Sequence, residues 1–307
     1  MPATRKLRGA PDSSKIATRF YASLGILFGI LLPAEFVLAH AVHLHGVERQ
    51  LLDAWPGLTM MSACVLYVRW RPLPKLIETA QLVLISCLTF YVMGVLIHIA
   101  GRSPYPLADQ QLANLDAALH FRTASFVQQV AAWRPLRLLL AIAYGTTGFM
   151  VIGAATIPAI LGRAEASYRF ILSIIFAVLA TAALFYRWPA IGPWTVECFA
   201  PARDQAAVGV YLTQLRSALP VIDMKSVAIV SFPSFHTVMA VSAAYALNCI
   251  QRVRWFTWTL CVLICVSTVS TGWHYGVDVL AGLALAVACN AIAGRMLKAT
   301  APREELA

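Results

Sequence analysis

The sequence predicts an all-α protein, a polytopic bundle of about eight transmembrane helices. Of its 307 residues, 60% are hydrophobic and only 12% charged, where soluble domains carry about 45–50% and about 25%. The apolar residues collect into runs close to the roughly 20 that one helix needs to cross a hydrocarbon core of about 30 Å. The basic residues fall mainly in the short links between those runs.

Residues 1–18 form a polar, basic leader containing Arg5, Lys6, Arg8 and Lys15. It is long for a cleaved signal and the apolar run behind it is span-length, so residues 20–44 read as a retained first helix. Residues 56–70 make a second span, short or tilted, and 76–100 a third. The segment 101–134 contains SPYP and QLANLDAALHFRTASFVQQVAAW. It lacks the apolar length to cross and is expected to lie in the interface plane. Spans four and five cover 136–161 and 168–188, joined by the polar link GRAEAS. Residues 189–234 form a long extramembrane loop; 235–250, 255–271 and 277–297 complete the eight. In domain terms, two extra spans (19–75) precede a six-helix core (76–298), and 299–307 form a short tail.

The charges test that count. With a cytoplasmic N-terminus, the inside links hold Arg69, Arg71 and Lys75, then Arg163 and Arg169, then Arg252 and Arg254, with Arg295, Lys298 and Arg303 at the end. Every short inside link is basic, as the positive-inside rule expects. Both termini are then cytoplasmic, as in a bacterial inner membrane. Topology and anionic headgroups account for the net charge of +10, so the bilayer, and no nucleic acid, is the expected partner. Six of the seven cysteines lie in apolar runs, and none forms a CxxC pair. Neither a disulfide framework nor a zinc site is expected.

The chemistry-bearing stretch runs from Ser231 to Gly282. It opens with SFPSFH and closes with STGWHYGVDVLAG, two apolar runs and a basic turn apart. If the first run descends through the bilayer and the second returns, His236 and His274 emerge at one face, the outer one: the periplasm, or the lumen in a eukaryote. Asp278 follows His274 by four residues, so on a helix the two would point the same way. Phosphoryl transfer needs a nucleophile, an acid for the departing oxygen, and donors for the spreading charge. Two imidazoles can share the first two tasks, and a carboxylate on the attacker's other nitrogen fixes its tautomer. Gly272 and Pro233 would let backbone amides approach a phosphate, while Ser234 or Thr237 would add hydroxyls.

PSFH at 233–236 and STVSTGWHYGVDVLAG at 267–282 resemble the second and third signature motifs of the phosphatidic acid phosphatase type 2 superfamily, PSxH and SRxxxxxHxxxD. The resemblance implies a six-helix core formed by spans three to eight. It implies His274 as a nucleophile that forms a phosphohistidine, Asp278 as its partner, and His236 as the acid on the leaving group. The proposed chemistry requires no metal or other cofactor. Two features depart from the pattern. Thr268 replaces the third motif's arginine, and no KxxxxxxRP first motif is present. FYRWPAIGPW at 185–194 resembles the P-x-x-GP stretch of the inositol phosphorylceramide synthase branch, and ANLDAALHF around Asp116 its interfacial segment. A phosphodiester donor carries less charge and needs fewer cations. The expected activity is therefore a membrane lipid phosphotransferase, with a lipid phosphate phosphatase using the same site as the alternative. A non-catalytic transporter or scaffold is the alternative of another class, against which stands the lack of repeats.

Arg187, at the outer end of span five, is the best remaining cation for a phosphate, ahead of Lys225 and Arg216. Asp116 is a cap or an interface contact. His40, His43 and His45, with Glu48, make a cluster that interfacial histidines explain better than a metal does. His98 and His120 lack sequence partners, and Glu35 is an acid inside the first span. The substrate is a phosphate-bearing membrane lipid of unspecified headgroup, and the oligomeric state is open.

Overall fold

The computed structural model describes residues 13–44, 74–217 and 229–298, with Thr59, Ser62, Ala63, Leu66 and Tyr67 between. Eleven α-helices and no β-strand occur among the described residues. They are α1 (Ser13–Ala41), α2 (Pro74–Gly101), α3 (Asp109–Ala118), α4 (Thr123–Ala132), α5 (Arg134–Gly145), α6 (Thr147–Ile160), α7 (Ala164–Arg187), α8 (Arg203–Arg216), α9 (Phe235–Leu247), α10 (Arg254–Ser270) and α11 (Gly276–Lys298). A single 3-10 turn, Pro193–Thr195, lies between α7 and α8. The second span expected at 56–70, along with His45, Glu48 and Lys225, falls outside the described residues apart from the five isolated positions.

Four helices, α1, α2, α7 and α11, are long and apolar enough to cross a membrane. The expected fourth span, 136–161, is instead two helices, α5 and α6, bent by 40° where Gly145–Thr146 interrupts the run. Glycine and consecutive threonines, all poor helix formers, meet in the sequence GTTG and concentrate the break there. Counted as one broken span, the pair raises the total to five.

The two helices that flank the histidine motifs are shorter. α9 has 13 residues and α10 has 17, about 20 and 26 Å at 1.5 Å per residue. α9 is the central helix. Ten of its residues are buried, on every face, as an all-round apolar helix requires. Ala240, Ala243, Ala244 and Ala246 let its neighbours approach closely. The principal core gathers around it from α1, α2, α6, α7, α10 and α11.

Large apolar side chains remain exposed along the outward faces: Ile26, Ile30 and Phe36 on α1, Phe149 and Ile152 on α6, Leu280, Val287 and Ile292 on α11. On a soluble protein such a surface would be an association hazard; here it is the lipid-facing belt of an integral membrane protein.

The bundle has two ends, and α1, α2 and α7 all run toward the same one. At one end Arg102, just past α2, donates to the carbonyls of Val42 and His43 beyond α1 and to that of Leu215 at 3.0 Å. At the other, Arg163 before α7 donates to the carbonyl of Cys249 after α9. Tyr168 near the start of α7 donates to Glu78 near the start of α2. The first of these ends carries the histidines.

Candidate active site

α9 begins with a cap. The Ser234 hydroxyl oxygen accepts from the Thr237 N–H at 3.4 Å and from its hydroxyl at 3.1 Å, satisfying amide donors that a helix start leaves open. The Ser234 N–H in turn donates to the carbonyl of Asp278 at 3.0 Å. This stitches α9 to the first turn of α11. Gly282, one turn further along α11, permits the approach: a β-carbon there would lie 2.5 Å from the Ser234 carbonyl oxygen. Gly282→Ala is therefore expected to destabilise the protein by about 1–3 kcal/mol, the range for overpacking. A thermal unfolding curve checks it, and an unchanged midpoint would contradict the close contact.

His236 sits in the first turn of α9, half-buried. Its ring lies 6.0 Å from that of His274, centroid to centroid, at 65°. Tyr144, the penultimate residue of α5, stacks on its other side at 4.5 Å and 27°. The bend after α5 delivers this ring; a straight span would have carried it elsewhere.

His274 lies in the link between α10 and α11, two residues before the helix that holds Asp278. The pair is thus not two residues of one helix. Asp278 instead reaches back: its Oδ2 accepts from the Tyr275 N–H at 2.9 Å, as the third residue of a helix does in a capping box. The same oxygen accepts from the Ser231 hydroxyl at 3.1 Å and lies 3.4 Å from His274 Nδ1. The nearer acceptor for Nδ1 is the Ser231 carbonyl oxygen, at 2.8 Å. A carbonyl can only accept, so Nδ1 carries the hydrogen and the lone pair of the neutral ring lies on Nε2. His274 is 3% exposed and Asp278 fully buried. Burial pushes the His274 pKa down from 6.5 to about 4, against the Ser231 carbonyl, which favours the charged form. The imidazole is therefore neutral at pH 7.

The arrangement thus offers an unprotonated Nε2 beside a second, half-buried imidazole. Because the neutral form persists down to about pH 4, the sign of the pH effect is fixed. If His274 is the nucleophile that the sequence resemblance implies, its reaction with a donor whose leaving group needs no proton is expected to hold its rate through pH 6.5 and fall only near pH 4. Single-turnover rates across pH check this; a fall centred at 6.5 would contradict the buried, neutral ring.

The segment 101–134 has a role in building the site. Asp109 and Asp116 lie seven residues apart on α3, two turns and one face. Asp116 accepts from the N–H groups of Gly276 and Val277, each at 2.8 Å, and from the Thr123 hydroxyl at 3.0 Å. It is the cap of α11, supplied from another helix. Asp109 accepts from the N–H groups of Ile191 and Gly192 and from the Tyr275 hydroxyl. Burial raises its pKa, with those bonds opposing the rise. The neighbouring Tyr275 hydroxyl is also pushed up, by burial and by the Asp109 charge. Gln205 of α8 donates to the Thr271 carbonyl at 3.0 Å, holding the other side of the link. Asp116→Asn keeps the size but removes one acceptor and the charge. It is expected to lower turnover by about 10²-fold through misplacement of His274. Steady-state kinetics check this; equal loss with Asp116→Ala and no loss with Asp116→Asn would leave only a cap.

The remaining sequence candidates separate. Ser234 is fully buried and occupied as a cap. Gly272 has φ +79°, where a side chain would be strained, and a β-carbon would meet Phe199 at 2.8 Å. Its N–H donates to the Val269 carbonyl, so both residues frame the link, both amides are engaged, and the Ser234 hydroxyl is buried in the cap. Arg187 is exposed, its guanidinium over the rings of Tyr105 at 4.7 Å and Trp188 at 5.1 Å. It forms no hydrogen bond or ion pair among the described residues, and Trp188 meets Phe232 of the SFPSFH stretch edge-on at 6.4 Å. Thr268 is buried and donates back to the Cys265 carbonyl within α10. His40 and His43 are exposed, and no group of three metal-ligating side chains occurs among the described residues. His98 is buried on α2 with Nδ1 2.7 Å from the Gly94 carbonyl oxygen. Arg216 donates to the Tyr105 carbonyl, at 2.5 Å. Sequence reasoning missed Ser231, Asp109, Tyr144, Tyr275 and Gln205.

The fold and the site define an all-helical integral membrane protein with paired histidines and a carboxylate at one end of the bundle. The family model of the PAP2 superfamily matches residues 110–292, more than half of the chain and nearly all of the arrangement just described. The chain belongs to the PAP2 superfamily, which supports an enzyme of the lipid phosphatase or phosphotransferase type. Comparison with curated proteins and with solved structures gave no match.

Proposed function

We propose that the chain is a membrane lipid phosphotransferase that works through a phosphohistidine on His274. The observation that carries this reading is the 2.8 Å contact of Nδ1 with the Ser231 carbonyl oxygen, which leaves Nε2 as the nucleophile beside a second imidazole. In the first step Nε2 attacks the phosphorus of a lipid donor and the bond from phosphorus to the leaving oxygen breaks. His236, which takes up a proton once the negative charge of the donor lies beside it, gives that oxygen its proton. Nδ1 keeps its hydrogen on the Ser231 carbonyl, with Asp278 beside it stabilising the positive ring. In the second step His236, now neutral, takes the proton of an acceptor hydroxyl, which attacks phosphorus and releases Nε2.

Two observations favour transfer over hydrolysis. No lysine or arginine is bonded to the histidines or to Asp278 among the described residues, and Thr268 stands where the family pattern has arginine. Such a site suits the single charge of a phosphodiester better than the double charge of a monoester. The burial of His274 also limits access of water. The resemblance of 185–194 and of the Asp116 segment to the inositol phosphorylceramide synthase branch supports an inositol-type headgroup. The cations Lys75, Arg163 and Arg169 gather at the other end of the bundle, which supports a periplasmic face for the histidines in a bacterial inner membrane.

The test is partition. Purified enzyme is given phosphorus-labelled phosphatidylinositol, phosphatidic acid or isoprenyl diphosphate, with and without a lipid-alcohol acceptor. A transferase passes label to the acceptor and little to water. Rapid release of inorganic phosphate, unaffected by acceptor, would establish the phosphatase instead. No product from any donor would favour the non-catalytic reading.

A further inference from the structure

At the end of the bundle away from the histidines lies a cavity of about 830 Å³. It forms where the starts of α1, α2 and α7 meet the last turns of α9 and the inner part of α11. None of the residues placed at the histidine site lines it. α7 alone, at about 1.5 Å per residue over its 24 residues, separates the two ends by roughly 36 Å.

Three cations line this cavity: Lys75, Arg163 and Arg169. The two arginines are each anchored by one nitrogen. Arg163 donates to the carbonyl of Cys249, and Arg169 donates through Nε to the carbonyl of Asn290 at 3.0 Å. Gly294 leaves room for the second of these, since a β-carbon there would sit 3.1 Å from the guanidinium. A guanidinium has five N–H donors, so each arginine is held in place with donors remaining. None of the three cations forms an ion pair among the described residues. The two carboxylates of the lining are Glu78, which accepts from the Tyr168 hydroxyl, and Glu165, which is exposed. Oriented cations that pair with neither carboxylate, around a cavity of this size, call for an anion.

The rim says which kind. Leu76, next to Lys75, is 48% exposed, and Ile160 and Leu161, next to the lining residue Gly162, are 51% and 52% exposed. A phosphate among the cations with apolar chains along these leucines and isoleucine is the chemistry of a phospholipid. We propose that this cavity binds the headgroup of an anionic phospholipid, at a site separate from the histidines and on the opposite side of the bilayer. Basic pockets between membrane helices are suited to this role.

The test uses the full chain in uncharged detergent, with thermal unfolding as readout. Phosphatidylglycerol, phosphatidylcholine and inorganic phosphate are added separately. At about tenfold excess over its dissociation constant, phosphatidylglycerol is expected to raise the midpoint by about 2–4 °C, with no comparable shift from phosphatidylcholine. Lys75→Gln/Arg163→Gln is expected to lose that shift. Lys75→Gln alone removes an exposed side chain with no described hydrogen bond, and is expected to weaken binding several-fold while the midpoint without lipid is kept. Equal shifts from both lipids, or a full shift retained in Lys75→Gln/Arg163→Gln, would overturn the site. An equal shift from inorganic phosphate alone would keep the anion site and overturn the lipid as its occupant.

Discussion

Replacing His274 with glutamine is expected to lower turnover by about 10⁴-fold or more while the helical bundle stays folded. Glutamine preserves a donor for the Ser231 carbonyl, and with it the contact that holds the link. It removes the Nε2 lone pair, for which no other side chain at the site substitutes. Loss of a nucleophile has effects of this size because the remaining groups act only together with it. Circular dichroism and the thermal midpoint separate loss of chemistry from loss of fold. Turnover within about tenfold of the wild type would remove His274 from the mechanism.

The second large effect belongs to His236, and its form matters more than its size. His236→Ala is expected to slow transfer from a donor with an alkoxide leaving group by about 10³-fold, within the range for general acid catalysis. The same variant is expected to lose much less with a nitrophenyl donor, whose leaving group departs without a proton. Rates for both donors with both proteins form a closed comparison. Equal losses with the two donors would show that His236 positions the substrate or packs against Tyr144, to which it is stacked, without acting as the acid.

Much of this was legible in the chain, and what escaped has a common cause. The long spans follow from apolar length: α2, α7 and α11 lie within a few residues of their expected places, while α1 begins at Ser13, two turns ahead of the expected start at residue 20. The two histidines are found at one end because the basic turn between their apolar runs reverses the chain. The contact of His274 with Asp278 was anticipated for an incomplete reason. Four residues apart suggested one helical face, whereas the helix starts only at Gly276 and Asp278 reaches back as a cap. The break between α5 and α6 was written in GTTG but outweighed by the apolar run around it.

Asp109 and Asp116 show the limit more sharply. Their partners, Ile191, Gly192, Tyr275, Gly276 and Val277, are 82 to 166 residues away in sequence. Periodicity can place two carboxylates on one face of a helix. It cannot name the amides they will meet. Ser231 and Tyr144 are silent for the same reason, since a backbone carbonyl and a stacked ring leave no pattern in a single chain. Gly272 and Ser234 were noticed through their residue types, but the conformational and capping needs of the link engage the groups that a phosphate would have used.

The central claim, covalent transfer through His274, is tested most directly by trapping. Purified protein is mixed with a phosphorus-labelled donor and quenched in alkali within one turnover, with His274→Gln alongside. The account predicts a label on the wild type alone that survives base, is lost in acid, and maps to the peptide containing His274. A label that survives acid, or one equally present on the variant, or product formed with no labelled protein at any quench time, would contradict it.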